Sequence, residues 1–502
     1  GAAGSMAAED YAFQSDYEST TEMMTARRAV ATELEAEGAV LIKNNETGEG
    51  KTSLPLFDYG ETGSANVTLL GTRAYTYDAS GNRRDYPEGG NGQSSVYGGL
   101  TGSIVRPSTV TTTDGVVDVP VTLEEALAEN GININPDAKR AYDGKPFGSF
   151  PGGSEGNGSS GSPFNPNEPS ITKNECGNYS AYSDAAIVFL GRASGEGRDY
   201  LPGTYGMSGT GGNTSALGLY DSELALIDVA SEISDNVIVL LCSAVAMDID
   251  SLKNDDRVDS VLWIGLPGAY GMEAVADIIA GKISPSGKLP DTYAVNASYS
   301  PAAQNFGTHS PDGTAIAYSN KSSYGNVTWR ANSEHYTVFA EGLYIGYRYY
   351  ETRYYDTVYG NGNASAQTGS STGNAWKYED EVAYSFGYGM SYVDFDESIV
   401  PGSLKVDLEA RTVSVDVSVT NNGSMPAKYV AQLYVQSPYT DYDKDVVQIN
   451  GTSQRRVEKS AVQLLSFEKK EIAAGATETI TVTGALKYVA SYDKPAVHTD
   501  EN

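Results

Sequence analysis

A regular alternation of apolar runs and amphipathic segments, which begins at residue 185, most constrains the fold of this 502-residue chain. Three apolar runs predict strands and three amphipathic segments predict helices, in the order 185–190, 221–233, 237–242, 249–254, 260–265 and 270–280. Apolar strands that alternate with amphipathic helices are typical of βαβ units and of a parallel sheet covered on both faces. About five or six such units are present, fewer than the eight of a closed barrel. The sequence therefore predicts a layered α/β sandwich with a mostly parallel sheet.

The region ahead of this alternation begins with a capped helix. Ser19 and Glu22 form a capping box, which predicts that a helix begins near residue 20 and runs to residue 37. Apolar residues fall at helical spacing along it, namely Met23, Ala26, Val30 and Leu34. Two short strands and a second capped helix are predicted to follow, at 38–43, 67–71 and 122–130.

The apolar pattern changes to a period of two residues near residue 403. Five strands are predicted with a sixth after them, at 403–408, 412–420, 428–435, 461–467, 478–483 and 486–492. Strands of this length, with Asn-Asn-Gly and Ala-Ala-Gly turns between them, favour a β-sandwich of fibronectin type III or immunoglobulin type. Because only the polar stretch 493–502 follows, we expect the sandwich to lack its last strand or strands.

These patterns divide the chain into four parts. They are an N-terminal arm whose first residues resemble a cloning remnant, an α/β sandwich domain, a Tyr-rich connector and an incomplete fibronectin type III-like domain, at 1–19, 20–330, 331–400 and 401–502. Two tracts rich in Gly, Ser and Asn lie within them, at 148–169 and 360–373. They carry no apolar periodicity, so they predict mobile surface loops.

The charge balance excludes several classes of function. The chain has 34 Lys and Arg against 65 Asp and Glu, a net charge of −31. Such a chain repels polyphosphates and anionic membrane surfaces, so nucleic-acid binding is excluded as a first interpretation. Two Cys and three widely separated His favour neither a disulfide framework nor a metal site. No apolar run of 18 residues is present that could span a membrane.

A glycine-rich loop at 191–203 holds the most informative acidic residue. The loop follows a predicted parallel strand, and ligands bind at the carboxyl ends of such strands. Glu196 lies between Gly195 and Gly197, so its carboxyl group can project with little steric cover. From the residues alone, Glu196 is either part of a solvated acidic loop or a proton donor. Arg198 is expected to pair with Asp199 and shape this loop.

Two other segments are candidates for binding. The loop at 89–95 lacks the spacing of a phosphate-binding motif, so it is either a plain connection or a polar ligand contact through Gln93, Ser94 and Ser95. The Tyr and Arg cluster at 347–355 is either a platform on which sugars stack or a seam between domains, and the seam is the favoured interpretation.

Several motifs, in order along the chain, resemble the C-terminal half of glycoside hydrolase family 3, the β-glucosidase family. They are Glu-Ala-Glu-Gly-Ala-Val-Leu-Ile-Lys-Asn-Asn at 35–45, Leu-Pro-Leu at 54–56, Ser-Gly-Glu-Gly-Arg-Asp at 194–199, Gly-Lys-Ile-Ser-Pro-Ser-Gly-Lys-Leu-Pro at 281–290, Glu-Gly-Leu-Tyr-Ile-Gly-Tyr-Arg-Tyr-Tyr at 341–350, Tyr-Ser-Phe-Gly-Tyr-Gly-Met-Ser-Tyr at 384–392 and the segment 467–475. The resemblance extends over nearly the whole chain, from about residue 20 to residue 493.

The resemblance implies roles for individual residues. Glu196 matches the general acid/base of the family's retaining mechanism. The nucleophilic Asp of that mechanism lies in a (β/α)8 barrel, which is absent from this chain. Gln93 falls where the family has a Ser that contacts the substrate, with Ser94 beside it, and Arg198 is a further candidate for substrate binding. No metal and no cofactor is implied.

The expected function is the acid/base-bearing part of a retaining, exo-acting β-glycosidase, foremost a β-glucosidase that acts on β-glucosides or oligosaccharides. The enzymatic alternative is a β-xylosidase or α-L-arabinofuranosidase, and the rival class is a non-catalytic carbohydrate-binding or scaffold module. The barrel and the final sandwich strand are expected on a following segment or a second polypeptide. The acidic, Cys-poor composition favours a secreted or surface-anchored bacterial protein over a cytoplasmic one.

Overall fold

A computed structural model describes most of the chain. The described residues are 16–48, 50–75, 110–111, 117–118, 121–143, 145, 168–192, 217–268, 270–304, 339, 341–360, 369–449 and 451–495. The predicted site residues Gln93, Ser94, Glu196 and Arg198 lie outside these ranges, as do most of the two tracts predicted to be mobile.

Helices and strands alternate in the first part of the chain and strands dominate the last part. The helices are α1 (Thr20–Gly38), α2 (Leu123–Glu129), α3 (Pro136–Arg140), α4 (Asp221–Ile233), α5 (Asp250–Lys253), α6 (Gly271–Ile279), α7 (Pro301–Gln304), α8 (Tyr347–Tyr354), α9 (Tyr378–Glu381) and α10 (Asp441–Lys444). The strands are β1 (Val40–Asn44), β2 (Glu46–Gly48), β3 (Lys51–Thr52), β4 (Ala65–Leu70), β5 (Val110–Thr111), β6 (Val117–Asp118), β7 (Ile132–Ile134), β8 (Ala185–Arg192), β9 (Val237–Ser243), β10 (Ser260–Trp263), β11 (Tyr293–Ala294), β12 (Val382–Tyr384), β13 (Phe395–Ile399), β14 (Lys405–Asp407), β15 (Thr412–Asn421), β16 (Ala427–Gln436), β17 (Val446–Ile449), β18 (Thr452–Arg455), β19 (Val462–Ile472) and β20 (Thr477–Ala485).

A six-stranded sheet forms the centre of the α/β domain. Its order is β1-β10-β9-β8-β4-β7, and its strands are parallel except for β1, which pairs antiparallel with β10 at the edge. All residues of β8 and β9 are buried, as expected for strands covered on both faces. The mostly parallel sheet predicted from the sequence is confirmed.

The helices cover both faces of this sheet. The unit β4-α2-β7 runs in one direction along the sheet and the unit β8-α4-β9 runs in the other. Because such crossovers are right-handed, α2 and α4 lie on opposite faces. Helix α2 packs against α6, which packs against α1, whereas α4 packs against β8, β4 and β9. The sheet is therefore the middle layer of three.

Two facing sheets form the C-terminal domain. Strand β15 is central in one sheet, paired with β13 and β14 along one edge and with β20 along the other. Strands β16 and β19 pair to form the second sheet. The two sheets share a core of Val415, Val419, Ala431, Ile472, Ile480 and Val482. The chain thus combines an α/β domain with a β-sandwich, as predicted.

The structure differs from the sequence-based expectation at three places. The first sandwich strand is β13, which lies inside the range assigned to the connector. The sixth strand predicted at 486–492 is wrong, because Leu486–Val489 forms a 3-10 helix. Helix α1 is confirmed, but two of the four apolar residues at helical spacing face outward, since Val30 is 55% exposed and Leu34 is 68% exposed.

Polar contacts decide which face of α1 is buried. The Arg28 guanidinium and the Thr32 hydroxyl both donate to the Glu273 carboxylate on α6, the latter over 2.9 Å. Glu35 lies on the same buried side, next to Gly271, and its Oε1 atom has no hydrogen-bond partner in the described part of the chain. Burial raises the pKa of Glu35 to about 8.

Glu37, two residues further along α1, joins the two domains. Its carboxylate accepts from Lys428 on β16 and lies 2.7 Å from the Lys469 Nζ on β19. Lys469 also donates to the Glu37 carbonyl, over 2.8 Å. The two lysines lower the pKa of Glu37 against the opposing effect of its partial burial.

The two neighbouring glutamates predict opposite pH effects on stability. The folded chain binds the Glu35 proton more tightly than the unfolded chain, so Glu35 lowers the free energy of unfolding progressively as pH rises from 4.5 to about 8. Glu35→Gln should therefore stabilise the protein increasingly over this range, by on the order of a few kcal/mol at the upper end. Thermal unfolding of both proteins at pH 5 and pH 8 measures this difference.

Glu37→Gln is the matched control on the same helix. The folded-state pKa of Glu37 is lowered, so its ionised carboxylate increases the free energy of unfolding at neutral pH. This contribution is lost as pH falls through that pKa. This variant should be destabilised at pH 7 and should approach the wild type in acid. An equal effect of Glu35→Gln at pH 5 and pH 8 would contradict the proposed cause.

Candidate active site

The two sequence-predicted site loops follow neighbouring strands of the central sheet. Residues 76–109, which include Gln93 and Ser94, follow the end of β4, and residues 193–216, which include Glu196 and Arg198, follow the end of β8. Strands β4 and β8 are parallel and directly paired, with Leu70 opposite Val188. The two strands that lead to these segments therefore end at the same edge of the sheet, side by side.

This edge holds the topological switch point of the sheet. From β4 the chain adds β7 on one side and then β8, β9 and β10 on the other. The direction of winding therefore reverses between β4 and β8. In open α/β sheets, ligands bind in the crevice that such a reversal leaves outside the carboxyl ends of the strands. The strand order thus points to the same place as the two loops.

The segment between β4 and residues 76–109 begins at a glycine that the packing requires. Gly71 has a φ of 108°, and a Cβ atom there would lie 2.4 Å from the Phe189 carbonyl oxygen on β8. Its N–H donates to the Tyr142 hydroxyl over 2.8 Å. The backbone after β4 therefore passes closely over β8, which a residue with a side chain would prevent.

Glu168 holds Thr72, the residue after Gly71. Its buried carboxylate accepts from the N–H of Thr72 over 2.8 Å and from the Thr72 hydroxyl over 3.0 Å. The Glu168 N–H in turn donates to the Ser222 hydroxyl in the first turn of α4. The end of the tract predicted to be mobile at 148–169 is therefore anchored, whereas residues 148–167 lie outside the described part.

A buried ion pair closes the base of the second loop. The Arg192 guanidinium, at the end of β8, contacts both oxygens of the Glu223 carboxylate on α4, over 2.6 and 2.8 Å. Arg192 also donates to the carbonyl of Gly218, which follows the loop. Glu223 accepts from the Tyr220 N–H over 2.9 Å. This Arg192–Glu223 clasp therefore joins both ends of the segment 193–216.

The Arg192–Glu223 clasp contributes more to the geometry of the loop base than to the stability of the fold. Both side chains are fully buried, at 0% and 1% exposure, and the two-point contact fixes the orientation of the guanidinium plane. Desolvation of two charges cancels most of their attraction, so a buried pair adds little compared with apolar residues of similar size. Loss of one partner alone is costly, because the other charge remains buried.

A cleft opens beside the returning end of the second loop. This loop-side cleft has a volume of about 580 Å³, and its lining includes Leu217, Asp248, Asp291, Thr292, Tyr347 and Phe386. The Asp248 N–H donates to the Leu217 carbonyl, which ties the loop end to the segment after β9. Burial raises the pKa of Asp291. The cleft thus has ligand size and a polar wall, and it adjoins Leu217, where the chain returns from the segment 193–216.

Sequence reasoning missed the residues that hold the loops, although some signals were present. Arg192 is a charged residue at the end of an otherwise apolar strand, and such a residue needs a buried partner. Glu223 lies at the third position of α4, where a carboxylate caps the helix. No local signal identifies Glu168, whose contact with Thr72 joins residues 96 positions apart.

The described residues show neither a metal cluster nor a membrane span. They contain no group of three or more His, Cys, Asp or Glu side chains that could hold a metal ion. In the same part of the chain, no helix has the length and apolar character needed to cross a bilayer. Cys176 and Cys242 are both buried, and neither forms a disulfide bond.

The motifs, the fold and a family comparison agree on one family. The Glycosyl hydrolase family 3 C-terminal domain model matches residues 39–347, which is more than half of the chain. The matched region runs from the start of β1 to the start of α8 and includes both site loops. The chain belongs to glycoside hydrolase family 3.

Curated relatives carry β-glucosidase names. Thermostable beta-glucosidase B of Acetivibrio thermocellus is 27% identical over 320 residues, which cover 64% of this chain and 32% of the relative. Beta-glucosidase of Ruminococcus albus is 25% identical over 471 residues, which cover 93% of this chain and 37% of the relative. The chain spans about a third of the length of these relatives.

Solved structures share the fold. A beta-glucosidase from Paenibacillus barengoltzii superposes with a TM-score of 0.60 at 24% identity, covering 93% of this chain and 39% of that one. Beta-glucosidase 3B from Thermotoga neapolitana, in complex with glucose, gives a TM-score of 0.58 at 23% identity, covering 94% of this chain and 50% of that one. The α/β domain and the β-sandwich thus occur together in both structures.

The Arg192–Glu223 clasp predicts a specific stability pattern. Arg192→Met should lower the free energy of unfolding by roughly 3–5 kcal/mol, because it leaves Glu223 buried and unpaired. The double variant Arg192→Met/Glu223→Leu should recover part of this loss, since no lone charge remains. Urea-induced unfolding of the single and double variants measures both effects.

Arg257→Met is the matched control. Arg257 pairs with Asp228 and Asp255 at the surface, where it is 39% exposed. Its loss should cost less than about 1 kcal/mol, as for other exposed ion pairs. Equal losses for Arg192→Met and Arg257→Met would show that the clasp does not behave as a buried pair.

Proposed function

We propose that this chain is the acid/base-bearing part of a retaining β-glucosidase, with Glu196 as the general acid/base. The observation that carries the proposal is that β4 and β8, the strands that precede the Gln93 and Glu196 segments, end side by side at the switch point of a sheet in a family 3 chain. The names of the curated relatives support glucosides as substrates.

The chemistry needs two carboxyl groups about 5 Å apart, one on each side of the scissile bond. Glu196 gives its proton to the glycosidic oxygen while a carboxylate nucleophile attacks the anomeric carbon, so the aglycone leaves as an alcohol. A glycosyl-enzyme ester forms in this step. Glu196, now ionised, then removes a proton from water, which attacks the anomeric carbon and releases the sugar and the nucleophile.

In this proposal the nucleophilic Asp comes from a (β/α)8 barrel outside this chain, on a following segment or a second polypeptide. Gln93 and Ser94 hydrogen-bond the sugar hydroxyls from the neighbouring loop, and Arg198 contributes a further polar contact beside Glu196. The clasp and the Glu168 contact position the ends of the two loops, and no residue of either is assigned a chemical step.

The β-sandwich supports a two-part protein. Strand β16 pairs with β19 along one edge, and along its other edge the described residues place no strand. A groove of about 620 Å³ borders β16, and its lining includes Val415, Val417, Ala431, Leu433 and Val482 together with polar residues such as Glu397 and Gln432. Ile399, which also lines this groove, is 68% exposed.

An open strand edge beside exposed apolar side chains is an aggregation hazard unless another strand covers it. We infer that the segment which carries the barrel also supplies a strand along β16. This strand would complete a sandwich of fibronectin type III type. It would also fix the barrel to this chain, so that Glu196 and the nucleophile meet in one site.

Glu196→Ala in the complete protein tests the proposed role. A poor leaving group needs protonation in the transition state and an activated aryl group does not. The variant should therefore lose about 10²–10⁴-fold in kcat/KM on cellobiose and much less on 2,4-dinitrophenyl β-glucoside. Azide should partly restore turnover of the aryl substrate, because a small anion can replace the water that Glu196 activates.

Glu46→Ala, which removes an exposed carboxylate on β2, is the control and should leave both rates unchanged. Equal losses on both substrates without azide rescue would contradict the assignment of Glu196. The same assay with the 4-nitrophenyl β-xyloside and α-L-arabinofuranoside decides the sugar. Faster turnover of the xyloside or the arabinofuranoside than of the glucoside would make that sugar the proposed substrate in place of glucose.

A further inference from the structure

The seam between the two domains contains a second cleft, lined largely by aromatic side chains. This seam cleft has a volume of about 530 Å³, within the usual size of ligand pockets. Its lining consists of Tyr347, Glu351, Tyr354, Tyr378, Ser385, Phe386, Tyr434 and Val462 among the described residues. Five of these eight side chains are aromatic.

Helix α8 is fixed between the domains and presents three of the lining residues. The Thr352 hydroxyl accepts from the Ala461 N–H over 2.9 Å, and the Tyr347 hydroxyl accepts from the Leu464 N–H over 3.1 Å. The favoured interpretation of the Tyr and Arg cluster as a domain seam is thus confirmed. The seam nevertheless contains a cleft, so the alternative interpretation, a platform on which sugars stack, is compatible with it.

The rings of the seam cleft hold one another in defined orientations. Phe386 stacks on Tyr347 with centroids 4.3 Å apart, and Tyr434 meets Phe386 edge-on at 86°. Tyr354 meets Tyr378 edge-on at 76° with centroids 5.6 Å apart. Such contacts restrict ring rotation, so the lining is preorganised for a ligand.

One carboxyl group provides the polar counterpart. The Glu351 Oε1 atom accepts from the Tyr378 hydroxyl over 2.5 Å, and Oε2 receives no hydrogen bond from the described residues. Burial raises the pKa of Glu351, against the lowering effect of the Tyr378 hydrogen bond. Ser385 and the hydroxyl of Tyr434 add further polar groups to the lining.

The composition of the lining limits what can bind. None of the described lining residues is Lys or Arg, and the whole chain carries a net charge of −31, which disfavours anionic ligands. Aromatic rings favour a ligand with an apolar face, whereas the Glu351 carboxyl and the hydroxyls favour one with hydrogen-bond donors around its edge. A pyranose ring has both properties.

We propose that the seam cleft is a saccharide-binding subsite, separate from the Glu196 loop, which takes a sugar unit of a neutral oligosaccharide. It shares Tyr347 and Phe386 with the loop-side cleft, so the two clefts adjoin at this pair of rings. The proposal concerns binding without turnover. Its failure is therefore distinguishable from a failure of the proposed hydrolase function.

Titration of the purified chain with cellotriose, followed by ligand-observed NMR, tests the proposal. The chain should carry Glu196→Gln throughout, so that the sugar stays intact. Tyr354→Ala should weaken binding about tenfold, because it removes an aromatic face from the cleft. Glu351→Gln, which keeps the size of the side chain but loses its charge, should weaken binding several-fold and provides a second variant if Tyr354→Ala does not fold.

Tyr488→Ala is the matched control, because Tyr488 is an exposed tyrosine outside the lining. It should bind cellotriose like the parent chain. The proposal is overturned if the parent chain does not bind cellotriose, or if both cleft variants bind it unchanged. It is also overturned if tetramethylammonium, the probe for an aromatic cation cage, binds in the cleft and cellotriose does not.

Discussion

The reversal of strand order between β4 and β8 is the constraint on which the rest of the structure depends. It places the ends of two parallel strands side by side with their following loops on the same edge. Three further contacts hold the chain at this edge. Gly71 allows the backbone to pass over Phe189, Glu168 holds Thr72, and the Arg192–Glu223 clasp closes the base of the second loop.

Local signals in the sequence were sufficient for most elements. Helix α4 was predicted at 221–233 and is found over these residues, and Thr122 caps α2 through the expected type of capping box. Apolar runs predicted β8 and β9 within a residue or two. In each case the pattern that defines the element lies inside the element.

Features that depend on distant residues could not be predicted in this way. The apolar spacing along α1 was correct for a helix, but contacts with Glu273 turn Val30 and Leu34 outward. Strand β13, with mostly exposed residues, exists because β15 pairs with it. Glu196 was predicted from its flanking glycines and the family resemblance and stays a prediction, whereas the role of Arg192 became visible only with its partner 31 residues away.

The two incomplete features of the structure have one explanation in this account. In the proposed function, Glu196 works with a nucleophile from outside this chain, and a strand pairs with the edge of β16 that the described residues leave unpaired. The proposal assigns both to one segment that carries the barrel and a sandwich strand. The central claim is therefore that this chain forms its active site together with such a segment.

Amide hydrogen exchange, compared between this chain alone and the complete protein with its barrel, tests that claim most directly. Peptides from β16 should exchange much more slowly in the complete protein, because a new strand pairs with the open edge. Peptides from β15, already paired along both edges, are the internal control. A glucose-like inhibitor bound to the complete protein should also slow exchange at 193–216. Unchanged exchange in β16 and in this loop would contradict the account.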